Sequence, residues 1–283
     1  MKNKMLKTAS LILLVFISML SIGQINYGSN NGKYLLVNGK KIYYEEYGTG
    51  IPLILLHGGI SNMSSFGTVI PELSKEFRVI AIDVPGEGRS EMLDSISFQI
   101  LASHVSNMID ILKLDSVYVY GYSVGGIIAL HLTADRPDKV KMAVISSANY
   151  NYDGFDSTFG GDKLGPEFME AYPKFWLEEH ESKALQKGKW KKYIQDFNKL
   201  WSPREFVPEA KLKQIVNPVL IVLGDRDMIK PEHGLKMYNL IKGSQLAILP
   251  NTTHFVLWER PYLISRTVLD FLLKVKPVGN FWK

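Results

Sequence analysis

The sequence predicts an α/β fold, in which helices cover both faces of a mostly parallel sheet. Short, continuously apolar runs such as "IPLILL" and "VYVY" are typical of strands that are buried on both faces. The segment "SFQILASHVSNMIDILKL" instead spaces its apolar residues along one helical stripe. Strand-like and helical segments alternate along the chain, which is the order that βαβ units require.

The composition is that of a globular protein. The chain has 283 residues, of which 46% are hydrophobic and 22% charged, so it can form one large domain or a domain with a sizeable insertion. It contains no cysteine, which excludes disulfides, thiolate catalysis and cysteine metal ligands. The net charge is +5, and three of the lysines lie at the extreme N-terminus, so we expect no nucleic-acid partner.

The first 23 residues have the pattern of a secretory signal peptide. Lys2, Lys4 and Lys7 form a basic start, an apolar run covers residues 9–20, and small residues precede a possible cleavage point after Gly23. The apolar run is shorter than the roughly 20 residues that a membrane-spanning helix needs. We therefore expect residues 1–23 to be removed, the mature protein to be secreted or periplasmic, and no stable membrane insertion after cleavage.

The first structural signal after this segment is a hairpin. Two strand-like runs flank Asn38-Gly39, a dipeptide that readily adopts the positive φ angles of a tight two-residue turn. The apolar run 51–56 follows and ends in the glycine loop "HGG", and the run 77–82 ends in a similar way at Asp83. These elements predict an antiparallel hairpin leading into the parallel sheet.

Ser123 stands between an apolar strand and a helix, in the sequence Gly121-Tyr122-Ser123-Val124-Gly125. A strand that enters a helix with almost no loop forces its central residue into strained backbone geometry, and the flanking glycines avoid collisions. The hydroxyl then lies at the carboxyl end of the strand, where open α/β sheets bind their ligands. The pattern therefore predicts an exposed serine nucleophile.

A serine hydroxyl becomes a good nucleophile only when a base removes its proton and an acid orients that base. Downstream, the apolar strand 219–223 is followed by Asp225 and Asp227, and a later strand is followed by His254. The order serine, aspartate, histidine is that of the serine hydrolases with a strand-turn-helix nucleophile.

Several motifs together resemble the α/β-hydrolase superfamily, over most of the chain from Gly32 to Lys274. The matching segments, in chain order, are "HGG" at 57–59, "DVPGEGRS" at 83–90, "GYSVGG" at 121–126, "GDRD" at 224–227 and His254 with the "ERP" after it. The resemblance implies an α/β-hydrolase fold with a mostly parallel central sheet and a helical cap inserted over the site.

The resemblance also implies a role for each site residue. Ser123 is expected to attack the substrate, His254 to act as general base and acid, and Asp227 to orient the histidine. The backbone N–H groups of Gly59 and Val124 are expected to form the oxyanion hole, with Ile60 an alternative to Gly59.

The sequence leaves one alternative for the acid and gives an expectation for each of the other histidines. Asp225 competes with Asp227 as the acid, although the family pattern G-x-x-D favours Asp227. His57 is expected to hold the oxyanion loop by hydrogen bonds rather than to act chemically. The other histidines lack metal-ligand spacing, so neither a metal nor another cofactor is expected; they are His104, His131, His180 and His233.

The alternation of strands and helices stops between residues 149 and 212. This segment is dense in aromatic residues and lies where relatives insert their cap, so we assign 149–212 to the cap and 24–148 with 213–283 to the core. Some of its rings are expected to contact an apolar part of the substrate. The aromatic residues are Tyr150, Tyr152, Phe155, Phe159, Phe168, Tyr172, Phe175, Trp176, Trp190, Tyr193, Phe197 and Trp201.

The expected activity is hydrolysis of a small acyl substrate. A serine nucleophile argues against the family members that attack with a carboxylate, which leaves ester, lactone or thioester cleavage through an acyl-enzyme on Ser123. An amide hydrolase similar to proline iminopeptidases is an alternative, but Ile60-Ser61 and Val124 depart from that branch's HGGPG and tryptophan. A small-molecule receptor that retains the three residues is a further alternative.

Overall fold

The computed structural model describes residues 32–156 and 174–274. The predicted signal peptide lies outside these residues, as do Phe159, Phe168 and Tyr172 of the predicted cap.

The described residues form one eight-stranded, mostly parallel sheet with the strand order β1-β2-β4-β3-β5-β6-β7-β8. Strands β1 and β2, and likewise β2 and β4, pair antiparallel, whereas all pairs from β4 to β8 across the sheet are parallel. The strands are β1 (Lys33–Val37), β2 (Lys40–Tyr47), β3 (Ile51–Leu56), β4 (Phe77–Ile82), β5 (Val117–Tyr122), β6 (Val140–Ser146), β7 (Val219–Gly224) and β8 (Gln245–Leu249). The α/β fold predicted from sequence is confirmed.

The hairpin between β1 and β2 turns at the predicted dipeptide. Asn38 and Gly39 have φ angles of 50° and 77°, so both central residues of the turn are left-handed. This geometry matches the right-handed twist of the two strands, which explains why Asn-Gly occurs there.

Helices cover both faces of the sheet. They are α1 (Ile70–Leu73), α2 (Phe98–Ile111), α3 (Val124–Asp135), α4 (Lys174–Lys183), α5 (Trp190–Lys199), α6 (Glu209–Leu212), α7 (Pro231–Leu240), α8 (Val256–Glu259) and α9 (Pro261–Leu272), with a short 3₁₀ turn at Met63–Phe66. Within the described ranges, no helix has the length and apolar character to cross a membrane.

The apolar core has two parts, one on each face of the sheet. Helices α2 and α3 pack on one face, where Tyr193, Ile194 and Phe197 of the predicted cap join the same cluster. The 3₁₀ turn, α1, α8 and α9 pack on the other face. Burial on both faces explains why strand β5 is apolar along its whole length.

The assignment of 149–212 to a cap stays a prediction, but its aromatic residues differ in environment. Tyr150 is fully buried and stacks on His233 of α7, with ring centroids 4.4 Å apart. Trp190, Tyr193, Phe197 and Trp201 instead form a chain of ring contacts along and just beyond α5.

Helix α3 approaches the end of β3 closely enough that only glycine fits at the contact. A β-carbon added to Gly125 would overlap the carbonyl oxygen of Leu56 and lie 2.7 Å from that of His57. A β-carbon on Gly121 would overlap the carbonyl oxygen of Gly125. The two glycines of the motif therefore allow the strand to turn directly into the helix.

We predict that Gly125→Ala lowers the free energy of unfolding by about 3 kcal/mol, because two backbone carbonyls must move to admit the methyl group. Gly188→Ala is the control, since Gly188 has a φ of 69° but open space around it. Gly188→Ala should lower the free energy of unfolding by only about 1 kcal/mol, which is the strain of an alanine in the left-handed conformation. Urea denaturation of both variants checks this, and equal losses would contradict the close approach.

Candidate active site

The candidate site lies where the strand order reverses. Strand β3 has β4 on one side and β5 on the other, and ligands of open α/β sheets bind at this switch point beyond the carboxyl ends of the strands. Leu56 of β3 pairs with Gly121 of β5, and Tyr122 pairs with Ser146 of β6. The loop after β3 and Ser123 after β5 are therefore neighbours.

Ser123 adopts the strained conformation that the motif predicts. Its φ and ψ angles are 54° and −120°, which L-residues rarely adopt. The conformation is held from both sides: the Ser123 N–H donates to the Ser146 carbonyl at 2.9 Å, and its carbonyl accepts from Gly126 at 2.8 Å. The strain places the side chain above the sheet instead of within it.

The structure brings Ser123, His254 and Asp227 together. The Oγ of Ser123 lies 3.0 Å from Nε2 of His254, and Nδ1 of His254 lies 2.7 Å from Oδ1 of Asp227. A carboxylate accepts the Nδ1 proton, so Nε2 is left as the acceptor for the serine hydroxyl. This is the tautomer that a general base needs.

Asp227 is held ionised in a buried position. Its side chain is fully buried, and it accepts a further hydrogen bond from the N–H of Ile229 at 3.1 Å. Burial alone raises the pKa of this carboxyl, but the charge and hydrogen bond of His254, assisted by Ser147, outweigh it. The pKa of Asp227 therefore lies below its usual range, and the group stays negative beside the histidine.

Asp225, the alternative acid, has a different role in the structure. Its Oδ1 accepts a hydrogen bond from the N–H of Thr252 at 3.1 Å, which ties the loop after β7 to the loop after β8. The aspartate that contacts His254 is Asp227, in agreement with the G-x-x-D pattern.

His57 and Asp83 hold the loop that follows β3. His57 is fully buried; its Nδ1 donates to the Gly58 carbonyl at 2.6 Å and its Nε2 accepts from the Val84 N–H at 2.8 Å. Burial lowers the pKa of His57 to about 4, against the opposing effect of the Gly58 bond, so the ring is neutral. Asp83 accepts from the N–H groups of Met63 and Arg89. His57 has the loop-holding role expected of it, and Asp83 holds the same loop.

Gly59 and Val124, the two residues expected to form the oxyanion hole, lie side by side. A β-carbon placed on Gly59 would lie 3.0 Å from Cγ2 of Val124. Val124 is the first residue of α3, so its N–H has no acceptor within the helix. The N–H of Ile60 is instead engaged by Glu87. The geometry favours Gly59 over Ile60 as the second donor.

Glu87 is a residue of the site region that sequence reasoning missed. Its buried carboxyl accepts from the Ser61 N–H at 2.9 Å and receives hydrogen bonds from Ile60 and from Tyr193 of α5. Burial raises the pKa of Glu87 to about 8, although these hydrogen bonds act in the opposite direction. The residue joins the oxyanion loop to the predicted cap. Its place inside the "PGEG" turn gave no signal of this contact.

Tyr122 also has a positioning role that the motif did not reveal. Its hydroxyl donates to the backbone carbonyl of His254 at 3.0 Å, and its ring lies 5.5 Å from the imidazole. Trp258 packs on the other edge of the same ring, at 5.8 Å. Tyr122, the residue before Ser123, therefore anchors the loop that carries His254. Its only sequence signal is a hydroxyl within a buried strand.

The arrangement holds the Ser123 hydroxyl 3.0 Å from Nε2 of a histidine whose Nδ1 lies 2.7 Å from a buried carboxylate. Such a set can transfer an acyl group to serine and then to water. Among the described residues, no cluster of histidine, aspartate and glutamate is able to hold a metal ion.

Known proteins share the fold of this chain. A family model described as the α/β-hydrolase fold matches residues 51–179. The human protein "Serine hydrolase BPHL" is 30% identical over 229 residues, which cover 77% of this chain and 78% of the relative. The chain belongs to the α/β-hydrolase family and is an enzyme of that family.

Two other similarities cover more of the chain. A 2-hydroxy-6-oxo-2,4-heptadienoate hydrolase of Pseudomonas putida is 27% identical over 270 residues, 87% of this chain and 98% of the relative. The solved structure of a meta-cleavage product hydrolase from Pseudomonas fluorescens superposes with a TM-score of 0.72 at 21% identity. It covers 87% of this chain and 98% of that one, and supports the fold.

We predict that Glu87→Gln removes a pH dependence of stability. A carboxyl whose pKa rises from 4.5 to about 8 on folding stabilises the fold below pH 4.5, and that contribution is lost as the pH rises towards 8. The wild type should therefore lose up to about 1.4 kcal/mol per pH unit relative to the variant across this interval. Urea denaturation of both proteins at several pH values measures this difference in the free energy of unfolding.

The control for this experiment is Glu76→Gln, which changes an exposed carboxyl. It should leave the pH profile of the wild type unchanged. Parallel profiles for the wild type and Glu87→Gln would contradict the assigned environment of Glu87.

Proposed function

We propose that this protein is an exported serine hydrolase that cleaves a carboxylic ester or a related acyl bond, such as a lactone or thioester. The observation that carries the proposal is the hydrogen-bonded chain from Ser123 through His254 to Asp227, with distances of 3.0 and 2.7 Å. These three residues are the proposed catalytic triad, and Gly59 with Val124 the proposed oxyanion hole.

In the proposed acylation step, Oγ of Ser123 attacks the substrate carbonyl carbon while Nε2 of His254 takes the hydroxyl proton. The carbonyl oxygen becomes an anion, which the N–H groups of Gly59 and Val124 stabilise by about 3 to 4 kcal/mol each. The anion then collapses and the bond to the leaving group breaks. His254 gives its proton to the leaving oxygen or sulfur, and the acyl group stays on Ser123.

Deacylation repeats these events with water in place of serine. His254 removes a proton from the water as it attacks the acyl-enzyme, and Oγ of Ser123 leaves and takes that proton back. Asp227 remains ionised throughout, because its negative charge stabilises the imidazolium that forms in both steps. The products are the free acid and the alcohol or thiol.

A second candidate activity is supported by the similarity to the Pseudomonas putida enzyme, which spans 98% of that relative. The compound in its name, 2-hydroxy-6-oxo-2,4-heptadienoate, has a carboxylate, a hydroxyl and a ketone but no ester. Cleavage of a carbon–carbon bond beside the ketone would then replace ester hydrolysis. Assaying this compound alongside acyl esters discriminates between the two activities.

The proposed export is supported by the basic start and apolar run of residues 1–23. The test is expression of the full chain in a bacterium, with fractionation and mass spectrometry of the mature N-terminus. Export with cleavage near Gly23 is expected. An intact N-terminus in the cytoplasmic fraction would contradict it.

A fluorophosphonate probe tests the proposed nucleophile directly. We predict that the wild type is labelled at Ser123, because only an activated hydroxyl reacts rapidly with such a probe. Labelling should be lost in Ser123→Ala and slowed about a thousandfold or more in His254→Ala. The adduct is located by mass spectrometry. Equal labelling of folded wild type and His254→Ala would contradict the role of His254.

The two aspartates form a matched pair for testing the acid. We predict that Asp227→Asn lowers kcat about a thousandfold or more, because an amide cannot hold the histidine in the required tautomer and charge state. Asp225→Asn should keep most of its kcat, since Asp225 bonds to the Thr252 N–H rather than to His254. The reverse result in an ester assay would transfer the acid role to Asp225.

A further inference from the structure

The loop at residues 57–61 lies against the turn that carries Ser123. A β-carbon on Gly58 would lie 3.2 Å from Cβ of Ser123, and one on Gly59 would lie 3.0 Å from Cγ2 of Val124. The backbone of the loop is therefore packed closely on the first turn of α3. A small rotation of this backbone would change the direction of the Gly59 N–H relative to a substrate on Ser123.

Ile60, the residue after Gly59, has an unfavourable backbone conformation. Its φ is 53°, in the left-handed region that a β-branched residue rarely adopts. Such a conformation persists only where the surrounding contacts impose it. Whatever imposes it also fixes the peptide group that joins Gly59 to Ile60.

The carboxyl of Glu87 holds the backbone on both sides of Ile60. It accepts hydrogen bonds from the N–H of Ile60 and from the N–H of Ser61, the latter at 2.9 Å to Oε2. Successive N–H groups that converge on one acidic group restrict the φ and ψ angles of the residue between them. The contacts of Glu87 therefore account for the left-handed conformation of Ile60.

Glu87 has a second contact, on the opposite side, with the predicted cap. Its carboxyl is hydrogen-bonded to the side chain of Tyr193 in α5, and Glu87 is only 4% exposed. Burying a carboxyl is unfavourable unless its oxygens have hydrogen-bond partners. The carboxyl thus has two sets of partners, the loop backbone and the Tyr193 hydroxyl, which variants can remove separately.

We infer that Glu87 is a positioning residue for the proposed oxyanion hole. Its carboxyl holds Ile60 in the left-handed conformation and thereby keeps the Gly59 N–H directed at the oxygen on which negative charge develops. The inference rests on the proposed function. It adds a residue outside the proposed triad and oxyanion hole that sets the rate of acyl transfer through the loop backbone.

The first measurement is kcat and KM for p-nitrophenyl butyrate at pH 7, with the wild type and Glu87→Ala. Loss of one oxyanion donor lowers kcat by two to three orders of magnitude, so misdirection of the Gly59 N–H should lower it about thirtyfold. Because the interaction forms only in the transition state, kcat/KM should fall by the same factor and KM should stay unchanged. An unchanged kcat overturns the inference, as does an effect confined to KM.

Glu87→Gln is the conservative variant. Burial raises the pKa of Glu87 to about 8, so at pH 7 the carboxyl is mostly protonated and offers an acceptor oxygen and a donor, as a glutamine does. Glutamine can therefore still accept from the loop. Its kcat should stay within about threefold of the wild type, since the backbone acceptor is kept. A loss as large as that in Glu87→Ala would contradict the inference.

A trifluoromethyl ketone with a propyl chain reports on the oxyanion hole without turnover. When it binds, Oγ of Ser123 adds to the ketone carbon, the serine proton goes to Nε2 of His254, and the carbonyl oxygen becomes an anion. Its inhibition constant should rise about thirtyfold in Glu87→Ala, in step with the loss of kcat. A constant equal to that of the wild type overturns the inference.

Two further variants separate the loop contact from other effects of the substitution. Glu91→Ala is the matched control, because Glu91 also accepts a backbone N–H, that of Lys41 at 3.1 Å, but holds β2 instead of the loop. It should leave kcat unchanged. Tyr193→Phe keeps the ring and removes only the hydroxyl that reaches Glu87. It should lower kcat far less than Glu87→Ala, and an equal loss would assign the effect to α5 and overturn the inference.

Amide hydrogen exchange tests the hold of Glu87 on the loop independently of activity. Exchange at Ile60 and Ser61 should be faster in Glu87→Ala and unchanged in Glu87→Gln; equal rates in all three proteins overturn the inference. Failure of the folded wild type to hydrolyse any ester contradicts the proposed function instead. Thermal unfolding shows which variants are folded, and Glu87→Met, which fills similar volume without an acceptor oxygen, replaces Glu87→Ala if that variant does not fold.

Discussion

The close contact between the first turn of α3 and the end of β3 is the constraint on which the rest of the site depends. With glycine at 125, the helix backbone rests on the carbonyls of Leu56 and His57, and the chain must reverse within one residue. That residue is Ser123, and its strained φ of 54° is a consequence of this sharp turn. The same contact sets the distance between the loop after β3 and the serine. The conformation of Ser123 and the position of the loop after β3 are thus consequences of one packing contact.

The chemistry of the site arises from carboxyl ends of strands that are distant in sequence. The sheet brings together the carboxyl ends of β3, β5, β7 and β8, and the loop after each of them contributes residues to the site. Asp227 is fully buried and its pKa is below the usual range, whereas Glu87 is also buried and has a pKa of about 8. The difference follows from their partners, because Asp227 faces a histidine and Glu87 faces neutral donors and Asp83. The Asp227 carboxylate is suited to stabilising positive charge on His254. The Glu87 carboxyl is suited to holding neighbouring loops together by hydrogen bonds.

Much of this architecture could be predicted from sequence because its signals are local. The Asn38-Gly39 turn, the helix at Phe98–Ile111 and the strand before Ser123 each follow from residues within one element. The three residues of the proposed triad were found because each follows a recognisable strand. The roles of Glu87 and Tyr122 depend instead on contacts between segments far apart in the chain. A buried glutamate in a turn has no distinctive local pattern, and one ring among many aromatics does not indicate which neighbour it touches.

The hydrogen bond from the Tyr122 hydroxyl to the His254 carbonyl, at 3.0 Å, has a consequence for the motions of the site. Tyr122 is the residue directly before Ser123, so the loop that carries His254 is attached to the strand end that carries Ser123. Thermal displacement of that strand end moves both groups in the same direction. We expect this link to keep the separation between Oγ and Nε2 constant when the loop after β8 moves. Ser123 and His254 are thereby both tied to the end of a fully buried strand.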